Sequence, residues 1–307
     1  MKIAVTGGAG FIGSHIVEAY IALGHEVVVL DNFSTGKKSN IHPKAKVYDV
    51  DIQSEKLTEI FAQEKFNIVN HHAAQIDVRV SVSNPILDAQ TNVIGSLNLY
   101  QAATSAGVKK IIFASSGGTV YGEQTVFPCD ETHSTIPLSP YGVAKLANEM
   151  YLNALQFTHG VNYVALRYSN VFGPRQNPHG EAGVFAIFLH KLLQGEQPII
   201  NGDGLQTRDY LYIEDAVRAN VMALDEQITG AYNISTAIET NVVQIFEALL
   251  LATNSTLPKI HADAKSGEPR RGSYSFQLAE KTFGWRPEVT FNNGIQQTVE
   301  WFIKQQE

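Results

Sequence analysis

Short apolar runs alternate with longer stretches of helical periodicity through the first 170 residues. Ile3–Val5, Glu26–Leu30, Val47–Val50, Ile68–Asn70, Ile111–Ala114 and Tyr163–Arg167 are brief, apolar and rich in β-branched residues, which predicts strands. Phe11–Leu23, Glu55–Gln63, Ala89–Ala106 and Pro140–Phe157 carry the 3.6-residue period and predict helices. Strands this apolar must be covered on both faces, and their alternation with helices predicts a parallel sheet. After about Asn170 the pattern changes. Pro/Gly-rich loops (GPRQNPHGEAG, NGDG, KSGEPRRG) separate helices expected at Gly183–Gln194, Glu214–Leu224, Val242–Thr253 and Asn293–Lys304. The expectation is an α/β chain: a doubly wound parallel sheet of the Rossmann type over residues 1–170, and a smaller α+β substrate-binding part over 171–307. No linker separates them, so the boundary is read as interleaved.

Charge and composition narrow the function classes. The chain has 307 residues, 23 Lys plus Arg against 30 Asp plus Glu, and no long basic run. Nucleic acid is therefore not an expected partner. No stretch approaches 18 consecutive apolar residues, so no membrane span is expected, and the N-terminal MKIAVTGG reads as a strand entering a turn and not as a signal peptide. Cys129 is the single cysteine, which excludes an intrachain disulfide and fits a reducing, cytoplasmic setting. The histidines, His71 and His72 included, form no metal-ligand pattern, so no metal is expected.

The first chemical signal is TGGAGFIG. Gly7, Gly10 and Gly13 lie three apart, after a strand and before a helix, where a turn, a close approach of pyrophosphate and tight helix–strand contact each require glycine. The helix N-terminus adds unpaired N–H groups and partial positive charge. Asp31 closes the second strand about twenty residues on. A carboxylate there suits a ribose diol and repels a 2′-phosphate, and no arginine follows it, so NAD is expected over NADP. A strand-end turn aspartate is the alternative. Asp51 and Ile52, after the third strand, suit an adenine amine and ring face.

The second signal is YGVAK. Tyr141 and Lys145, at i and i+4, share a helix face. Tyrosine is a poor base near neutrality, with a pKa of roughly 10. A neighbouring ammonium favours the phenolate and makes the pair a general acid/base for alcohol–ketone chemistry. A surface helix pair is the plain alternative. The stretch SSGGTVYGE, at the end of the strand before it, offers a third hydroxyl.

Together TGGAGFIGSH, DNFSTG, HHAAQIDVRVSV, TNVIGSLNLYQAA, SSGGTVYGE, SPYGVAKLANE, RYSNVFGPRQ, GDGLQTRDYLYIEDA and FGWRPEVTF resemble the extended short-chain dehydrogenase/reductase family over nearly the whole chain. Within it they resemble the UDP-glucose/UDP-galactose 4-epimerases, NAD-using isomerases of carbohydrate metabolism. The resemblance implies C4 epimerisation of a UDP-hexose through a transient 4-keto sugar. It implies that Gly7, Gly10, Phe11, Ile12 and Gly13 meet the NAD pyrophosphate, and that Asp31, Asn32 and Ser34 hold the adenosine ribose. Asp51 and Ile52 would contact adenine. Ala73, Ala74 and Gln75 would line the cofactor, with Asn92 beneath it. Tyr141 would be the acid/base, Lys145 its partner and a nicotinamide-ribose ligand, and Tyr168 would flank the nicotinamide.

For the substrate, the resemblance implies Asn170, Arg208 and Arg270 or Lys265 at the diphosphate, and Ile199 and Ile200 at the uracil. Core packing is the alternative for the isoleucines, and a solvated pair for Arg270–Arg271. The usual Ser/Thr four residues before the tyrosine of VYG is replaced by Gly117. The two glycines would then bulge the backbone and bring in Ser116, with Ser115 and Thr119 as the next choices. The position that gates the sugar 2-substituent, counted from Gly267, falls on Gly272, which leaves room for UDP-GlcNAc and UDP-GalNAc. A 4,6-dehydratase or decarboxylase is disfavoured, because Gly118-Thr119 stands where those enzymes carry acidic residues. A non-catalytic NAD-sensing regulator is disfavoured by the intact Tyr141–Lys145 pair. The resemblance also implies a homodimer through the helices at Ala89–Ala106 and Pro140–Phe157.

Overall fold

A computed structural model describes residues 1–178, 183–264 and 270–305. The first half runs β1 (Lys2–Thr6), α1 (Phe11–Ala22), β2 (Glu26–Asp31), β3 (Lys46–Asp49), α2 (Lys56–Glu64), β4 (Ile68–His71), α3 (Val78–Ser83), α4 (Pro85–Ala89), α5 (Ser96–Ser105), β5 (Lys110–Ser116), α6 (Gly117–Val120), α7 (Pro140–His159) and β6 (Asn162–Tyr168). The second half runs β7 (Asn170–Phe172), α8 (Val184–Leu193), β8 (Ile199–Asn201), β9 (Thr207–Tyr212), α9 (Ile213–Met222), β10 (Gly230–Ile234), β11 (Glu239–Asn241), α10 (Val242–Thr253), β12 (Ile260–Ala262), α11 (Gln277–Phe283) and α12 (Phe291–Lys304).

Seven strands form one parallel sheet in the order β10-β6-β5-β4-β1-β2-β3. The order reverses between β1 and β4, where a doubly wound sheet opens a crevice at the carboxyl ends of its strands. Both sheet faces are covered. Ile3, Val5, Ile112 and Leu166 point into one core with α1 and α9, and Ala4, Val28, Ile111 and Phe113 point into the other with α2, α5 and α7. Each strand therefore reads as unbroken apolar sequence.

Three elements depart from the sequence reading. The expected single helix at Ala89–Ala106 is α4, a π-helical segment at Gln90–Gly95, and α5. The wide turn keeps an apolar periodicity close enough to 3.6 to conceal it. Strand β10 had no clear signal, because GAYNI is short and half polar, yet it pairs with β6 and completes the sheet from the second half of the chain. Ser116 stays in regular register opposite Tyr168 and a helical turn follows, so the expected bulge is absent. The room left by Gly117 is taken by a ring, since a Cβ there would lie 3.3 Å from Tyr274 Cδ1 and 3.3 Å from the Arg167 carbonyl.

The remaining strands make two small sheets, β11-β9-β7 and β12-β8. They surround an aromatic core in which Phe172 meets Phe185, Tyr210, Tyr212 and Phe291. This part sits beyond the carboxyl edge of the large sheet and walls the crevice.

Candidate active site

The glycine loop is built for close approach. Gly7 has φ +67, and a Cβ on it would lie 2.7 Å from the Ala73 nitrogen. A Cβ on Gly13 would lie 2.2 Å from the Gly7 carbonyl oxygen. Gly10 caps α1 with no side-chain acceptor, so the N–H groups that open the helix at Phe11 and Ile12 have no capping side chain. That is an arrangement for an anion.

Asp31 is buried at the end of β2. Its Oδ2 accepts from the Ala9 N–H at 2.9 Å and its Oδ1 from the Phe33 N–H at 2.8 Å. A carboxylate can accept about four hydrogen bonds, so capacity remains for a diol. The turn role and the ribose role are thus compatible. Asn32 donates to Asp51 at 2.7 Å and accepts from the Ser34 N–H at 3.0 Å, which ties the first crossover to the Asp51–Ile52 turn. Ile52 is buried and packs against the π segment at Gly95.

Beyond β4 the chain is pinned from below. Thr6 Oγ1 accepts from the N–H groups of His72 and Ala73 and contacts His71 Nδ1 at 2.7 Å. Burial holds His71 and His72 well below the ordinary imidazole pKa, so both are neutral. Gln75, which follows Ala74, is clamped by Asn92. The Asn92 carboxamide accepts from the Gln75 N–H and donates to the Gln75 carbonyl, each at 2.8 Å, and donates to Asp88 at 2.9 Å. Asp88 also accepts from the Gln75 side chain. The π turn leaves the Asn92 carbonyl for Asn148 of α7, which donates to it at 2.7 Å. Asp88 and Asn148 carried no sequence signal, because a carboxylate or amide on a helix reads as solvated surface.

Tyr141 is partly buried at the second position of α7, after Ser139 caps the helix and Pro140 starts it. Lys145 is 4 % exposed. Its Nζ donates to the Ala114 carbonyl at 2.7 Å, 4.8 Å from the Phe113 ring centroid and 5.5 Å from that of Tyr141. Burial pushes its pKa down to about 8, while Asp88 and Glu149 act against that fall. Tyr141 and Lys145 therefore lie close on α7, with Lys145 reaching the end of β5.

The three candidate hydroxyls separate. Ser115 is buried and donates to Glu149 at 2.5 Å, beneath an ion pair in which Arg167 contacts Glu149 at 2.6 Å. Thr119 Oγ1 is enclosed with no partner among the described residues. Ser116 is half-buried, and its Oγ makes no hydrogen bond among the described residues. It faces the open side of Gly118, whose Cβ would lie 3.7 Å from it. Tyr168 is buried at the end of β6, its hydroxyl accepting from Asn220 at 2.6 Å and meeting His72 Nε2 at 3.3 Å.

The second half brings Asn170 and Arg208 to one small sheet. Asn170 stands opposite Tyr210 in the register, two residues from Arg208 on β9. Arg208 Nη1 donates to the Thr207 carbonyl at 2.7 Å. Next to it, buried Asp209 accepts from the N–H groups of Thr236 and Ala237, and its carboxyl is pushed up to about 6 by burial. Arg270 is exposed and forms a two-point pair with Asp203 of the NGDG turn, at 2.6 and 2.9 Å. Ile200 is wholly enclosed in the aromatic core, which accounts for its apolarity, whereas Ile199 is exposed. Lys265 and Gly267 lie outside the described residues.

A parallel sheet with a bare glycine loop, a strand-end aspartate and a Tyr–Lys pair at its crevice defines a dinucleotide-dependent enzyme of the short-chain dehydrogenase/reductase type. The chain belongs to the NAD dependent epimerase/dehydratase family, which matches residues 3–235. It is 44% identical to a putative UDP-glucose 4-epimerase of Methanocaldococcus jannaschii, covering 97% of each chain. Among solved structures it is similar to the Thermotoga maritima UDP-glucose 4-epimerase with UDP-glucose, at 44% identity, TM-score 0.98 and 100% coverage of both chains. It is also similar to the Thermus thermophilus UDP-glucose 4-epimerase in complex with NAD, at 40% identity, TM-score 0.93 and 99% coverage of both.

Proposed function

We propose that the chain epimerises UDP-hexoses at C4, interconverting UDP-glucose and UDP-galactose. The observation that carries this is the buried Lys145 ammonium under Tyr141 at the end of β5, the strand that closes on Ser116, whose hydroxyl makes no hydrogen bond among the described residues. Such a set moves a proton on and off an alcohol oxygen.

The residues present fit NAD. The uncapped α1 turn at Gly10, Phe11, Ile12 and Gly13 suits a pyrophosphate, and Gly7 keeps the floor of that loop clear. Asp31, Asn32 and Ser34 suit a ribose, and Asp51 and Ile52 an adenine. Ala73, Ala74, Gln75, Asn92 and Tyr168 line the other half. Bound NAD supplies the acceptor, and then the donor, of the C4 hydride. Tyr141 takes the proton of the 4-hydroxyl and returns it after the 4-keto sugar has presented its other face. Lys145 stabilises the phenolate and reaches the nicotinamide ribose. Ser116 hydrogen-bonds the same sugar oxygen. Asn170, Arg208 and Arg270 hold the diphosphate while the sugar turns, Arg270 by exchanging its exposed partner Asp203 for phosphate. Ile200 supports the uracil pocket from within the core.

The test is incubation of the purified protein with UDP-galactose, with UDP-glucose as the expected product and NAD identified after denaturation. Absence of conversion by NAD-loaded protein would refute the reading. Gly272 favours a second substrate class, since no side chain there closes the site beside Arg208. UDP-GlcNAc and UDP-GalNAc belong in the same assay.

The division into a cofactor part, 1–170, and a substrate part, 171–307, is the functional reading of the two halves, with β10 and α9 returning to the large sheet. No helix among the described residues is long and apolar enough to cross a membrane. A cytoplasmic homodimer is the assembly we propose.

A further inference from the structure

Tyr274 is a 3 % exposed tyrosine whose hydroxyl has no hydrogen-bond partner among the described residues. Tyr20, Tyr100, Tyr121 and Tyr168 are as deeply buried, and each has its hydroxyl partnered. A hydroxyl at the tip of a buried ring, with no protein partner, is left to bond water or a ligand at the surface it reaches. The ring is held firmly. It stacks on Tyr121 with centroids 5.9 Å apart and an interplanar angle of 22°, in a cluster with Val120 and Cys129. A bridge to Cys129 fixes its backbone, and its carbonyl accepts from Ser235 at 2.7 Å. Burial raises its pKa, so the phenol keeps its proton and is a donor.

Three glycines show where the donor points. A Cβ on Gly272 would lie 3.2 Å from the Tyr274 hydroxyl and 3.6 Å from Arg208 Cδ. A Cβ on Gly118 would lie 3.8 Å from that hydroxyl and 3.7 Å from Ser116 Oγ. Gly117 takes the ring edge. The hydroxyl therefore stands between the Arg208 end and the Ser116 end of the site, on a wall that glycines keep free of side chains. A pyranose spanning those ends has its diphosphate at C1 and its reacting hydroxyl at C4. The group facing Tyr274 is then one of the remaining ring substituents.

We infer that Tyr274 is a substrate-contacting residue whose phenol donates a hydrogen bond to a non-reacting hydroxyl of the hexose. This rests on the epimerase reading of the site. It also gives Gly272 a second role, because a side chain there would press on the Tyr274 hydroxyl. Sugar selectivity is set by residue 274 together with position 272, where glycine leaves the Tyr274 hydroxyl uncovered.

The test uses Tyr274→Phe, which keeps the ring and its stacking. Binding of UDP-galactose and of UDP alone is measured by calorimetry on the NAD-loaded full chain, with turnover and thermal melting alongside. Loss of one donor to a sugar hydroxyl should weaken UDP-galactose about tenfold and raise KM similarly. UDP affinity and melting temperature should not move. An unchanged UDP-galactose affinity, or equal weakening of UDP and UDP-galactose, overturns the inference. Wild-type protein that binds NAD but converts no UDP-galactose would instead overturn the epimerase reading, whatever the variant does.

Discussion

At the scale of single residues, the site divides groups that do chemistry from groups that hold them. Tyr141→Phe removes the proposed acid/base while leaving the ring above Lys145. Turnover should drop by roughly 10²–10⁴-fold with NAD retained, as for loss of a general acid/base. The two serines should separate in the same way. Ser116→Ala should lower turnover about tenfold or more with an unchanged melting temperature, since one lost hydrogen bond to the reacting oxygen is of that order. Ser115→Ala should act on stability, because it strips a donor from the buried Glu149–Arg167 pair. Lys145 makes the pH dependence specific. Its pKa lies near 8 in the folded chain against 10.5 unperturbed. Below about 8 it is an ammonium under the phenol and above it is neutral, so kcat/KM should fall as pH rises through that value. Stability should move the other way. Between 8 and 10.5 the unfolded chain binds the proton that the folded chain has released, so this group's contribution rises with pH. A kcat/KM profile still flat at pH 9.5 would contradict the assignment.

At the scale of elements, much of the site was legible because its geometry is local. A glycine triplet between a strand and a helix, or Tyr and Lys one turn apart, is a statement about neighbouring residues. The supporting groups were not legible because they meet through tertiary contacts. The resemblance put Asn92 beneath the cofactor, but nothing in ILDAQTN announces that it and Asp88 lock the loop at Gln75, since the π turn that carries Asn92 leaves no mark on the apolar period. Similarly, SSGG suggested a bulge, whereas its glycines make room for Tyr274, more than 150 residues away. The π segment carries its own test. Asn92→Ala removes three hydrogen bonds of 2.8–2.9 Å and leaves Asp88 short of a donor in a buried setting. The expected loss is about 3 kcal/mol of stability. With Gln75 in the cofactor half, as proposed, the variant should also release NAD on dilution while UDP binding persists. Equal weakening of both would mean that the segment supports the whole fold and not the cofactor loop.

At the scale of the whole molecule, the large sheet buries apolar side chains on both faces, yet one outer surface stays apolar. Val143, Met150 and Phe157 recur every seven residues along α7, with Tyr151 beside them, and all four are exposed. Ile86 and Ile94, on the neighbouring α4 and π segment, are exposed too. A groove of about 430 Å³ between the two, lined by Pro85, Val93, Leu138 and Val143 among others, gives this face relief. A stripe at heptad spacing is the form one helix offers another. The proposed homodimer would seat the same stripe of a second copy on it across a two-fold axis, packing two helices from each chain into a four-helix bundle. The face lies on the outer side of α7, away from Lys145, so disrupting it should separate assembly from chemistry. Val143→Glu combined with Met150→Glu places four carboxylates across the proposed axis, where like charges without partners oppose association. Light scattering should give twice the chain mass for the wild type and the chain mass for the variant. The variant should keep NAD and melt lower than the wild type, at a temperature that no longer depends on protein concentration, because mass action no longer supports the fold. A monomeric wild type at micromolar concentration would reject the dimer and leave the epimerase reading intact.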